Sequence, residues 1–150
     1  MKTLQIKDGD QTLNVEIEKM NAFAAEDWLI RAGMALGKSA TEVDKIKDVR
    51  GLIGALCRVE YAEARPLLDK LLEGCYLVNG DFRRSVEDSA TRIQSPITLM
   101  KLRIESGKEN FGFLADGSEF GSLMSSLGVQ TAQKSGEPHD MKTSRRAAQK

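Results

Sequence analysis

Between Thr3 and Glu18 the chain alternates. Leu4 and Ile6 are separated by polar residues, the turn-forming run Asp8-Gly9-Asp10-Gln11 comes next, and Leu13, Val15 and Ile17 resume the period of two. This pattern predicts a β-hairpin over residues 3–18, and it constrains everything downstream. A two-stranded hairpin is marginal by itself, so one face must pack on the rest of the chain or pair with another chain. An open edge is expected, and with it a route to self-association.

The remainder reads as helices and turns. Residues 22–36 put Ala25, Trp28, Leu29, Ala32 and Leu36 on one face, with Asp27 and Arg31 spaced i, i+4, so a helix with Trp28 in the core is expected. A second helix, 41–59, carries Ile46, Val49, Leu52, Ile53 and Leu56; its Gly51 and Gly54 lower helix propensity but permit a neighbour to come close. Pro66 suits the first position of a third helix, 66–78, in which Leu67, Leu68, Leu71, Leu72, Cys75 and Tyr76 form a wide apolar face ended by Asn79 and Gly80. The polar stretch Asp81 to Gln94 is expected to be a loop with a single helical turn near Ser85.

Ser95 and Pro96 supply an N-cap and first position for a fourth helix, 96–106. Ile97, Met100 and Ile104 lie on one side of it and Leu99 and Leu102 on another. A helix apolar on two faces either sits between neighbours or offers one face to a partner. Gly107 is expected to weaken its continuation before Phe111 and Phe113. In a fifth helix, 119–127, Phe120, Leu123, Met124 and Leu127 recur at i, i+3, i+4 and i+7, the spacing of groove-docking anchors and equally of core residues. From Gly128 to Lys150 there is no Leu, Ile or aromatic residue, so a disordered, mildly basic tail is expected. The expected architecture is therefore mainly α: a single helical domain, 1–127, with an N-terminal β-hairpin and a disordered C-terminal tail, 128–150.

Composition removes several kinds of function. Twenty-two basic residues balance twenty-two acidic ones, which argues against a general nucleic-acid binder. The first residues lack the long apolar core of a secretory signal, and no apolar run approaches a membrane span; a soluble, cytoplasmic protein is expected. Cys57 and Cys75 lie in apolar helical patterns and form no C-x-x-C pair, so both are expected to be buried thiols. The Gly33, Gly37, Lys38, Ser39 run resembles a phosphate loop, but the interval before Gly37-Lys38 is one residue short and no strand precedes it. It reads instead as a helix capped by Gly37, with Ser39 and Glu42 as the capping box of the next.

A catalytic constellation is hard to assemble. The one histidine, His139, falls in the tail, and Glu60, Glu63, Asp69, Glu73, Glu87 and Asp88 occupy solvated positions. No enzyme, cofactor or metal site is expected.

Three blocks, "MNAFAAEDWLIRAGMAL", "ARPLLDKLLEGCYLV" and "SPITLMKLRIESGKENFGFL", in that order behind a hairpin, resemble the tail assembly chaperones of long-tailed bacteriophages and prophages. The resemblance covers roughly Met1 to Leu114. Matching positions are Glu26, Trp28 and Arg31 in the first block; Pro66, Leu67, Leu68, Asp69 and Leu72 in the second; and Thr98, Leu99, Leu102 and Arg103 in the third. After Arg103 the chain departs from the family pattern, since Gly107 intervenes and a histidine before the aromatic pair is missing.

The resemblance implies a non-enzymatic protein of the host bacterial cytoplasm that coats the long helical tape-measure protein and keeps it soluble until the tail tube polymerises. Tape-measure protein is the implied partner, with tail-tube protein as a second candidate, self-association, and neither nucleic acid nor membrane. Leu99, Leu102, Phe111, Phe113, Phe120, Leu123, Met124 and Leu127 are the candidate partner-binding residues. The alternative is a virion structural or scaffolding subunit that remains in the tail.

Overall fold

The computed structural model describes residues 1–39, 45–116, Ser122 and Ser126. Strands β1 (Lys2–Asp8) and β2 (Gln11–Ile17) lead into helix α1 (Ala22–Lys38), α2 (Val49–Leu56) and α3 (Tyr61–Glu73). Strands β3 (Cys75–Asn79) and β4 (Phe82–Ser85) come next, then a 3-10 segment (Glu87–Arg92), α4 (Pro96–Phe111) and a closing 3-10 turn (Gly112–Asp116). The four strands make one antiparallel sheet in the order β1-β2-β3-β4. The fold is thus α+β, and the expectation of a mainly α domain is corrected by a second hairpin.

That hairpin replaces the end of the expected third helix. Helix α3 begins at Tyr61, earlier than Pro66, and stops at Glu73 because the chain turns at Gly74, where Glu18 N–H donates to the Gly74 carbonyl at 2.8 Å. A Cβ at Gly74 would sit 2.7 Å from the Glu18 carbonyl oxygen, so the close approach requires glycine. From there Cys75 and Leu77 point inward on the period of two. Asn79 and Gly80 do not end a helix; they open the tight β3–β4 turn, with Asn79 opposite Phe82 and Gly80 at φ 61°. Gly9 does the same at φ 59° between Asp8 and Gln11. Positive φ at the first central residue alone is the II′ pattern, whose twist matches that of the strands.

The first hairpin lies where the alternation places it, but its β2 edge is closed: Val15, Glu16 and Ile17 pair with Leu77, Tyr76 and Cys75. The open edges are β1 and β4. Helix α2 is much shorter than 41–59, because Asp48 caps it and accepts the Gly51 N–H at 2.7 Å. Helix α1 runs through Gly37 to Lys38, and Ser39 is its C-cap rather than the N-cap of a second helix; Glu42 lies outside the described residues. Helix α4 continues through Gly107 to Phe111. A Cβ there would come within 2.5 Å of Val49 Cγ1, so Gly107 is the point of close approach between α4 and α2. Gly54, expected to serve that purpose, has nothing within 4 Å of its Cβ position among the described residues.

Two apolar clusters result. One joins Trp28, Leu36, Leu52, Ile53, Leu56, Leu67, Leu71 and Phe111 among the helices; the other joins Ile6, Val15, Ile17, Leu72, Cys75, Leu77 and Leu102 against the sheet. Helices α3 and α4 contribute to both clusters and so form the middle layer, between the sheet and the α1–α2 pair. The two apolar faces of α4 are explained by that position: Leu99 and Leu102 meet the sheet, while Met100 and Ile104 meet the helices.

Candidate functional site

Helices α1 and α3 run antiparallel, with Lys38 at the end of α1 paired to Glu63 near the start of α3. Between them lies a groove of about 570 Å³. Its floor is Trp28, Ala35 and Leu67, with Ala24, Ala62, Pro66 and Met34 on the walls. The small residues Ala24 and Ala62 keep the walls low. The floor is rigid for identifiable reasons: Trp28 Nε1 donates to the Leu67 carbonyl at 2.9 Å, and the indole stacks on Phe111 at 4.6 Å between ring centroids.

The rim is charged but self-neutralised. Asp27 pairs with Arg31 at 2.9 Å, Lys38 with Glu63, and Lys70 with Glu73. The Glu63 carboxylate, by hydrogen bond and by charge, holds the Lys38 ammonium above its ordinary pKa. Such solvent-screened pairs add little to stability. Their effect here is that every charged side chain lining the groove already has an opposite neighbour, which leaves apolar surface as its distinguishing property.

That surface continues along the outer lip. Phe23, Ile30 and Met34 succeed one another at i, i+7 and i+11 on α1, and Phe23 is 85% exposed and Met34 60%. Tyr61, 72% exposed, stands at the α3 end where Lys38 meets Glu63. The hydrophobic stripe of α1 that faces away from the core thus adjoins an apolar groove. Sequence reasoning missed Phe23 and Met34, although their shared helical line is readable from the spacing.

The residues singled out from the sequence fall into three groups. Trp28, Arg31, Pro66 and Leu67 line the groove, and Glu26 lies exposed on α1. Leu68, Asp69, Leu72, Thr98 and Arg103 build the scaffold beneath it. Arg103, only 6% exposed, donates to the Leu68 carbonyl at 3.1 Å and to Asp69 at 3.1 Å, while Asp69 also accepts from Arg65 at 2.9 Å. These contacts lock α4 onto α3. Of the candidate partner-binding residues, Leu102 and Phe111 are fully buried and Leu99 packs against the sheet cluster, so in the folded chain they are core. Phe113 is exposed, and Phe120, Leu123, Met124 and Leu127 lie outside the described residues.

Asp8 was not anticipated. It closes the first hairpin, is fully buried, and accepts from Gln94 N at 2.8 Å, Ser95 N at 2.9 Å, Thr98 Oγ1 at 2.7 Å and Gln11 Nε2 at 2.9 Å. Burial alone would raise its pKa, but these donors outweigh it and hold the carboxyl down at about 2. Asp8 therefore ties the sheet to the start of α4. The cysteines divide: Cys75 is buried and its thiol is pushed up to about 11 by desolvation, whereas Cys57, expected inside, is exposed at the end of α2.

Among the described residues no group of three or more His, Cys, Asp or Glu side chains is placed to hold a metal ion, and no helix is long and apolar enough to cross a membrane. Gly33, Gly37 and Lys38 are part of α1, so the phosphate-loop geometry is absent. Comparison with family models, with curated proteins and with solved structures returns no match to this chain.

Proposed function

We propose that this chain is a non-enzymatic binding protein that takes up an amphipathic helix in the α1–α3 groove, and that its biological role is phage tail assembly chaperone for the tape-measure protein. The observation that carries the reading is the groove itself: an apolar channel walled by two antiparallel helices, continued by the exposed Phe23, Ile30 and Met34 stripe, with rim charges already paired. A third helix laid along two others buries its apolar face without having to satisfy an unmatched charge. The order of the three sequence blocks supports the specific partner, and two of them supply the groove walls.

A long helical protein with exposed apolar stripes aggregates before assembly, and many copies of a small protein can shield it through individually weak, additive contacts. Weak contacts also permit displacement when the tube forms. The test is co-expression of this chain with the tape-measure protein of the same phage. Tape-measure protein that is soluble only with this chain, and that co-purifies with several copies of it, is the expected result. A tape-measure protein that pellets while this chain purifies alone contradicts the proposal and favours the virion-subunit alternative.

A further inference from the structure

The far end of the molecule carries a second, chemically different cavity. The ladder between β2 and β3 ends at Val15 opposite Leu77, while β1–β2 continues to Asp8 opposite Gln11 and β3–β4 to Asn79 opposite Phe82. The two hairpins therefore part beyond Val15, and the wedge between them opens into a cleft of about 420 Å³ roofed by the 3-10 segment. That volume is in the range of small-molecule sites.

Its lining is cationic. Arg84 from β4 and Arg92 from the 3-10 segment flank the half-exposed Phe82 ring, their guanidinium carbons 5.2 Å and 5.7 Å from its centroid. Neither has a carboxylate partner among the described residues, whereas Arg65, Arg83 and Arg103 all do. The aromatic face fixes the two guanidiniums while leaving their N–H donors free. A second observation is independent of charge. Ser89 lines the same cleft, is 1% exposed, and its hydroxyl has no hydrogen-bond partner among the described residues. A buried hydroxyl left unsatisfied is unfavourable, and a ligand acceptor would offset that.

No acid lines the cleft among the described residues. Asp8, which precedes the hairpin turn, has its oxygens taken by four donors, and Asp88 accepts the Ser85 hydroxyl. Asn79 and Gln94 add side-chain amides to the wall.

We propose that this cleft binds a small dianion, a phosphate monoester or a dicarboxylate, with Arg84 and Arg92 supplying the charge and the Ser89 hydroxyl a buried hydrogen bond. Two unpaired guanidiniums match two negative charges, and the fork of each suits either oxyanion. The site is separate from the α1–α3 groove and stands or falls independently of what that groove binds.

The test is an amide NMR titration of the full chain with phenyl phosphate and, separately, with succinate, at constant ionic strength. Saturable shifts confined to the Phe82, Arg84, Ser89, Arg92 and Gln94 region are expected for at least one probe, and the one with the lower midpoint identifies the ligand class. Arg84→Gln and Arg92→Gln should each weaken binding at least tenfold. Ser89→Ala should weaken binding while leaving the melting temperature of the free protein unchanged or higher, an outcome that a purely structural serine would not give. Shifts that never saturate with either probe, or midpoints insensitive to both arginine substitutions, overturn the proposal.

Discussion

The α1–α3 groove and the cleft between the hairpins are of similar size, yet their side chains are arranged on opposite principles. In the groove every lining charge has an opposite partner beside it, and the surface left over is Pro66, Met34 and the Phe23 stripe. In the cleft the aromatic ring is occupied by arginines, the surface left over is guanidinium N–H, and one buried hydroxyl lacks a partner among the described residues. What a surface can bind depends on what its residues have not already satisfied internally. By that measure the first region suits an apolar helix and the second an anion.

The largest expected effect is at the groove floor. Trp28→Ala removes a side chain that is 2% exposed, stacked on Phe111 and bonded to Leu67, and is expected to lose about 3–5 kcal/mol of stability in urea unfolding. An unchanged midpoint would mean that the floor is not part of the core.

Next in size is Asp8, which secures the opposite end. Its folded pKa is about 2 against an ordinary 3.8, so its contribution is fully present above pH 3.8 and is lost as the pH falls toward 2. The shift corresponds to about 2 kcal/mol. Unfolding midpoints measured from pH 6 down to pH 2 should show this loss. In Asp8→Asn the neutral pH stability should fall by a similar amount and the acid dependence should flatten.

Smaller still is the effect of the lip. Phe23→Ser with Met34→Ser alters exposed positions and should change stability by no more than about 0.5 kcal/mol, while weakening binding of an amphipathic helix. The smallest perturbation is chemical: Cys57 should react with a thiol reagent in the native protein and Cys75 only on unfolding, because one is exposed and the other buried with a raised pKa. Reaction of both thiols at the same rate would place the sheet cluster in contact with solvent.

The sequence announced some of this and concealed the rest for physical reasons. The first hairpin, the Trp28 face of α1 and the Ser95-Pro96 start of α4 rest on local signals, namely alternation, helical spacing and capping, and they are where those signals put them. The second hairpin was legible but ambiguous. Leu67, Leu68, Leu71, Leu72, Cys75 and Tyr76 continue a helical face without a break, while Cys75 to Val78 with Asn79-Gly80 behind them equally makes a strand and a tight turn. Gly74 decides between them, through a contact with Glu18 that is distant in sequence. Asp8, Arg103 and Gly107 were opaque for the same reason: each is defined by a partner dozens of residues away. The groove is intermediate, since its walls coincide with two of the family-like blocks but its exposed lip is visible only once the buried face of α1 is known.

Phe23 and Met34 stand exposed on the lip of the groove proposed to hold the long helical partner. The decisive measurement is the soluble, co-purifying fraction of tape-measure protein when it is co-expressed with either the wild-type chain or the Phe23→Ser, Met34→Ser variant, with thermal unfolding of both chains alongside. The expected variant melts with the wild type and leaves the tape-measure protein in the pellet. A variant that melts with the wild type and keeps the partner equally soluble would mean that the groove lip does not hold it.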